Sequence, residues 1–140
     1  MKVLLSHDGS ACSDRAVKFV TGTLNKQVKD LRLTLVYVDV PMLDRVAAGL
    51  GEEAVARIHR ENSDFALKGA RTRLRAARIA FDESRLVGNV AGHIVALAEK
   101  GKFDVVVMGS HGRTALKNLL LGSITTQVMA QSKVPVLVVR

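Results

Sequence analysis

Three glycines and a serine in the last third of the chain have the spacing of an anion cradle. Gly109, Gly112 and Gly122-Ser123 fall in the pattern G-x2-G-x9-G-S, directly after the apolar run Phe103 to Met108. Glycine lets a backbone come close to a ligand and tolerates positive φ. Successive loop N–H groups form a nest for phosphate oxygens. A helix opening at Ser123 would add its unpaired N–H groups and its dipole at the same place. The Ser123 hydroxyl can donate to the anion, and Arg113 and Lys117 bring positive charge close. The bland alternative is that Gly109 and Gly112 turn the chain and Gly122 permits close packing. The strand before and the helix after favour the cradle. The chain contains neither G-x-x-x-x-G-K-[ST] nor G-x-G-x-x-G, so the pattern is neither a P-loop nor a dinucleotide fingerprint.

Other residues offer less. His111, inside the loop, could contact an anion or assist proton transfer, but no loop carboxylate orients it, and a backbone-shaping role stands level. Asp8 follows the first apolar run, and a carboxylate there suits a hydrogen-bond acceptor better than a catalytic base. His7 could stack on a base or simply belong to the turn. The four histidines, at 7, 59, 93 and 111, form no i,i+4 pair, so no zinc spacing is visible; His59 and His93 receive no role. Cys12 is the only cysteine, which excludes an internal disulfide and a Cys-rich cluster. It is either a thiol at a helix start or a small buried side chain.

The elements that must position these groups read as follows. Lys2 to Ser6 is a buried strand, and Asp8-Gly9-Ser10 is its turn. Ser10 or Ser13 caps a helix whose inner face is Ala16, Val17, Val20 and Leu24. Leu31 to Val38 is a second strand, 41–51 a loop, and Glu52 to about Ala77 a long helix with an apolar stripe of Ala54, Ile58, Phe65, Leu67 and Leu74. Ile79 to Val87 is a third strand. Asn89 caps the next helix, which turns Ile94, Leu97 and Ala98 inward and stops at Gly101. Phe103 to Met108 is a fourth strand. A helix-like piece over 116–121, a final helix from Ser123 to Gln131 and a last strand from Val134 to Val139 complete the order β-α-β-α-β-α-β-α-β. Apolar rather than alternating strands, interleaved with helices, predict a parallel sheet covered on both faces with right-handed crossovers.

Composition agrees. The 140 residues, 48% apolar, suffice for one domain with one filled core. No run of 18 apolar residues and no cleavable leader is present, so neither a membrane partner nor export is expected and the protein reads as cytoplasmic. The net charge of +8 attracts polyanions. Much of the excess lies between Arg57 and Arg85 on a helix and its exit, and the aromatic residues are not interleaved with it. A nucleic-acid partner therefore rests on charge alone and is disfavoured.

Three segments together resemble the universal stress protein family in its ATP-binding branch: V-L-L-S-H-D-G-S at the start, M-G-S-H-G-R with L-L-G-S in the glycine loop, and V-P-V-L-V-V-R at the end. The resemblance spans the chain. It implies an α/β fold of the adenine nucleotide alpha hydrolase type: a three-layer, open, twisted, parallel five-stranded sheet in the order 3-2-1-4-5 with helices on both faces. It also implies ATP as ligand; Mg²⁺ or Mn²⁺ is expected to accompany the phosphates by neutralising their charge, with few ligands from the protein because the motif contains no carboxylate. The residues implied at the ligand are Asp8, beside the adenine and ribose, and Val38 by its backbone at the adenine, with Ser6 at the end of the first strand and His7 after it as neighbouring candidates. Gly88 and Asn89 fall near the ribose, with Met108 and Gly109. Gly112, Gly122, Ser123 and Ile124 fall along the phosphates, and His111 and Arg113 join the candidate set by their place in the same loop. His7 departs from the family, where a small apolar residue or proline usually precedes the Asp. The functional expectation is a nucleotide-dependent stress or signalling module. A slow ATPase using the same site is the second reading, since no water-activating base with an orienting partner is visible. A homodimer through residues 134–139 is expected, because an apolar strand at a sheet edge invites pairing with a second copy; no other protein partner is indicated.

Overall fold

Short apolar runs separated by amphipathic helices fold here into one parallel sheet. The structure, a computed structural model, describes residues 1–113 and 121–140. The piece expected from Leu116 and the charge of Lys117 lie outside the described residues.

The elements follow the chain as β1 (Lys2–Ser6), α1 (Ala11–Phe19), a π-helical turn (Val20–Leu24), α2 (Asn25–Gln27), β2 (Arg32–Asp39), α3 (Asp44–Leu50), α4 (Glu52–Ala76), β3 (Phe81–Val87), α5 (Val90–Lys100), β4 (Val105–Gly109), α6 (Ser123–Gln131) and β5 (Val136–Val139). The sheet order is β3-β2-β1-β4-β5, every pair parallel. The expected order and layering therefore hold. β1 sits at the centre, with Val3 beside Leu33 on one side and beside Val105 on the other.

Strand side chains point alternately to the two faces, and two cores result. Val3, Leu5, Leu35, Tyr37 and Val107 pack with α1 and α4 residues such as Val17, Leu67 and Leu74. Leu4, Val36, Val38, Val106 and Met108 pack with Ala91, Ile94, Ala98 and Val128 of α5 and α6. Burying β1, β2 and β4 on both sides explains why their sequences read as continuous apolar runs.

Local sequence sets the boundaries. The Ser10 side chain caps α1 by accepting from Ser13 N–H at 3.2 Å, and Asn89 caps α5 by accepting from Gly92 N–H at 2.7 Å. At the end of α5 the left-handed residue is Lys102, φ 52°. Gly101 itself is helical, φ −76°, and is needed because a Cβ there would lie 2.4 Å from the Phe103 ring.

Two expectations are corrected. The loop over 41–51 contains α3, a two-turn helix with no buried residue. Phe65 is not part of the inner stripe: it is 79% exposed. Small residues Ser63, Ala66 and Ala70 face inward with Leu67 and Leu74, because α4 lies close to the turn after β1, where a Cβ on Gly9 would stand 3.3 Å from the Ala66 Cα. No helix among the described residues is long and apolar enough to cross a membrane.

Candidate functional site

The sheet order reverses between β1 and β4, so the segments that follow these two strands diverge and leave a crevice at their carboxyl ends. A cavity of about 220 Å³ occupies it. Ser6, Asp8, Val38, Met108, Gly109, His111, Gly112, Arg113 and Ile124 line it, and so do Ser13, Tyr37, Asp39, Val40, Val90 and Thr125. The first nine are among the residues expected at the ligand.

Asp8 holds the two sides together. Its Oδ1 accepts from Ser10 N–H at 3.0 Å, closing the turn after β1, and its Oδ2 accepts from Arg113 N–H at 3.2 Å. Ser10 Oγ donates to the His111 carbonyl at 3.3 Å, a second bond across more than a hundred positions. Opposite, Gly122 N–H donates to the Ser110 carbonyl at 2.8 Å, folding the loop back onto the start of α6. Thr125 Oγ1 donates to the Gly109 carbonyl at 3.0 Å and ties α6 to the end of β4.

The glycines act by proximity. Positive φ among the described glycines occurs at Gly9, Gly51 and Gly88, not at Gly109, Gly112 or Gly122. A Cβ on Gly109 would stand 2.5 Å from the Cys12 carbonyl carbon, on Gly112 2.8 Å from Asp8 Oδ2, and on Gly122 3.2 Å from the His111 Cα. α6 begins at Gly122 with no side-chain cap. Its first-turn N–H groups, from Ser123 to Thr125, therefore have no side-chain acceptor among the described residues, and Ile124 and Thr125 border the cavity. An uncapped helix start beside a backbone loop is a surface of donors suited to an anion.

Five expected residues do not line the cavity. His7 is 2% exposed. Its Nδ1 accepts from Gly9 N–H at 3.2 Å, which leaves the proton on Nε2 to donate to Asp14 Oδ1 at 3.2 Å; both nitrogens serve the turn. Gly88, φ 149°, abuts the His93 ring and donates its N–H to the Asp39 carbonyl. Asn89 is the α5 cap. Gly122 is the N-cap and Ser123 the first residue of α6, next in the chain to Ile124, which lines the cavity. His111 does line it, half-buried, with Nδ1 3.0 Å from Ser110 Oγ.

Sequence reasoning missed a polar cluster at the end of β2. Asp39 is 8% exposed. Its Oδ1 accepts from Tyr37 O–H and from Val40 N–H, both at 3.0 Å, and its Oδ2 accepts from His59 Nδ1 at 2.7 Å and Asn62 Nδ2 at 2.9 Å. Burial by itself would raise the Asp39 carboxyl, but donation from His59, Asn62 and Tyr37 outweighs it and holds the group below the ordinary carboxylate value. The Tyr37 hydroxyl is raised, by burial first and then by Asp39, with Arg113 opposing. The one signal was an acid at the tip of a strand otherwise apolar in its second half. Among the described residues no group of three or more His, Cys, Asp and Glu is placed to hold a metal.

A doubly wound open sheet with a glycine-built crevice at its switch point places the chain in the open-sheet α/β class. Within that class the chain belongs to the universal stress protein family, whose model matches residues 1–140. A universal stress protein of Methanocaldococcus jannaschii is 31% identical over 140 residues, covering 99% of this chain and 81% of that one. Among solved structures, hypothetical protein MJ0577, also a universal stress protein of that organism, superposes with a TM-score of 0.80 at 30% identity, over 99% of this chain and 94% of the other. A universal stress protein in complex with cAMP superposes with a TM-score of 0.69 at 26% identity, over 100% and 97%.

Proposed function

We propose that this chain binds ATP in the crevice between β1 and β4 and acts as a nucleotide-dependent stress or signalling module. The observation that carries the reading is the backbone cradle: the loop from Ser110 to Arg113 is bonded both to Asp8 and to the uncapped start of α6. The phosphates would meet the N–H groups of α6 and the Arg113 side chain. Asp8 would accept from the ribose, and the base would rest beside Val38, Val40 and Val90 at the β2 end. A relative that holds cAMP supports an adenine nucleotide as the ligand class. Mg²⁺ or Mn²⁺ would arrive with the phosphates, where it neutralises charge and draws few ligands from the protein. Affinity in the micromolar class or weaker is expected, since the cradle lacks a P-loop lysine.

Calorimetric titration of the parent and of Gly122→Val with ATP tests the reading. A valine side chain at 122 pushes the 110–112 loop away from α6, so the variant should release no binding heat while keeping its circular dichroism spectrum. If parent and variant hold ATP equally, the cradle is not the phosphate site.

A further inference from the structure

On the far side of Tyr37 lies a second cavity, of about 560 Å³, between the N-terminal half of α4 and the outer strand β3. That volume is within the roughly 300–1,000 Å³ typical of small-molecule sites. α4 lends Glu52, Val55, Ala56, His59, Arg60 and Ser63, the spacing of one helical face. Tyr37, Arg85, Leu86 and Val87 close the sheet side. Tyr37 is the only lining residue shared with the crevice between β1 and β4, and the inference below does not rest on the nucleotide reading.

The polar groups of this cavity are unevenly placed. A carboxylate can only accept, so His59 Nδ1 carries the proton in its 2.7 Å bond to Asp39 Oδ2. The other ring nitrogen, Nε2, has no partner among the described residues, although the side chain is only 15% exposed. One position on, the Arg60 guanidinium forms no ion pair among the described residues. Arg85 is held in place, with Nε on Glu83 Oε1 and Nη1 on Asp64 Oδ1. Glu52, the one acid in the lining, stands about two turns before His59, some 10 Å along the helix at its rise of about 1.5 Å per residue. Between these ends the lining is Val55, Ala56, Leu86 and Val87.

We infer that this cavity binds a small organic carboxylate with a compact apolar body. The carboxylate meets the Arg60 guanidinium, where a charge-assisted hydrogen bond engages a cation that has no ion pair among the described residues. The apolar body covers the two valines, Ala56 and Leu86. A cation is rejected by the same end, and a polyanion has no second free cation to meet.

Backbone-amide NMR titrations of the full chain with naphthoate and with naphthylmethylammonium test this. Naphthoate should shift the amides of Val55, Ala56, His59, Arg60, Leu86 and Val87 saturably, and the cation should not. Arg60→Glu should weaken the naphthoate titration by roughly tenfold, the loss expected for one charge-assisted contact. Ala56→Trp, which fills the cavity from a solvent-facing helix position, should abolish it with the thermal midpoint unchanged. Equal response to the cation would reduce the cavity to a patch of apolar surface and overturn the proposal. So would naphthoate shifts confined to Val38, Met108 and Ile124, or shifts of the α4 amides with protein concentration alone, the sign of a second copy covering this face.

Discussion

Gly109 and Gly112 would fail differently if each received a methyl group. At Gly109 the new Cβ meets backbone, 2.5 Å from the Cys12 carbonyl carbon and 2.7 Å from Ser13 N. Helix α1 cannot yield there without leaving β4, so Gly109→Ala should cost about 1–3 kcal/mol as overpacking does, read in urea unfolding. At Gly112 the Cβ meets only the Asp8 carboxylate, at 2.8 Å. Gly112→Ala should leave the urea midpoint in place and weaken the ATP titration; an unaltered titration would detach Asp8 from the ligand. Asp39 makes a prediction about acid. Its folded pKa is depressed, so its stabilisation is fully present above the ordinary carboxylate value and is lost as pH falls through the lower, folded value. Asp39→Asn should remove about 2 kcal/mol or more at neutral pH, the scale of charge-assisted bonds to a buried acid. In mild acid the gap between variant and parent should narrow; a gap independent of pH would deny Asp39 its charge. The glycine spacing was legible because it lies within one stretch of chain. The Asp39 cluster was not, because His59 and Asn62 reach it from 20 and 23 positions away and neither stands in a pattern.

Elements were read well where burial imposes a period and poorly where it does not. β1, β2 and β4 are covered on both faces and stand out as apolar runs. α3 buries nothing and has no side-chain cap, so the forces that mark a helix in sequence are missing from it. On α4 the apolar stripe includes Phe65 in sequence, whereas in the fold Phe65 is exposed and the close approach of Gly9 leaves room only for a small side chain at Ala66. β5 carries the dimer expectation, which we retain as a proposal. It lies at the sheet edge beside β4, and its residues are all half-buried. Pro135 and Val139 carbonyls accept from Val106 and Ser110 N–H. Odd-numbered residues therefore bond to β4, and the Val138 N–H faces the open edge. Val136 packs against the core of Leu4 and Val106, so changing it confounds association with folding. Val138→Pro removes one outward donor and no bond to β4. It should shift sedimentation from dimer to monomer with little change in thermal midpoint. A parent that already sediments as a monomer at micromolar concentration sinks the dimer.

For the molecule as a whole, parallel alternation was legible from strands and helices taking turns, while the order β3-β2-β1-β4-β5 came through family resemblance, since periodicity does not say which strands are neighbours. The charge excess is partly spent inside the fold: Arg71 and Arg85 share Glu83 and Asp64, so the basic stretch from Arg57 to Arg85 is no uniform surface for a polyanion. The central place of β1 also has a consequence in time. β1 is made first, and its neighbour β2 follows within forty residues, but the other neighbour, β4, begins at Val105. Between Asp39 and Gly109 a ribosome working at roughly 5–20 residues per second spends about 4–14 seconds. Throughout that interval the Val3–Leu5 edge has no strand to meet. A nascent chain stalled before β4 emerges should be cut readily by protease and should engage a holding chaperone, and one stalled after β4 has cleared the exit tunnel should resist. Equal protection of both would mean that β1, β2 and α4 close without their later partner.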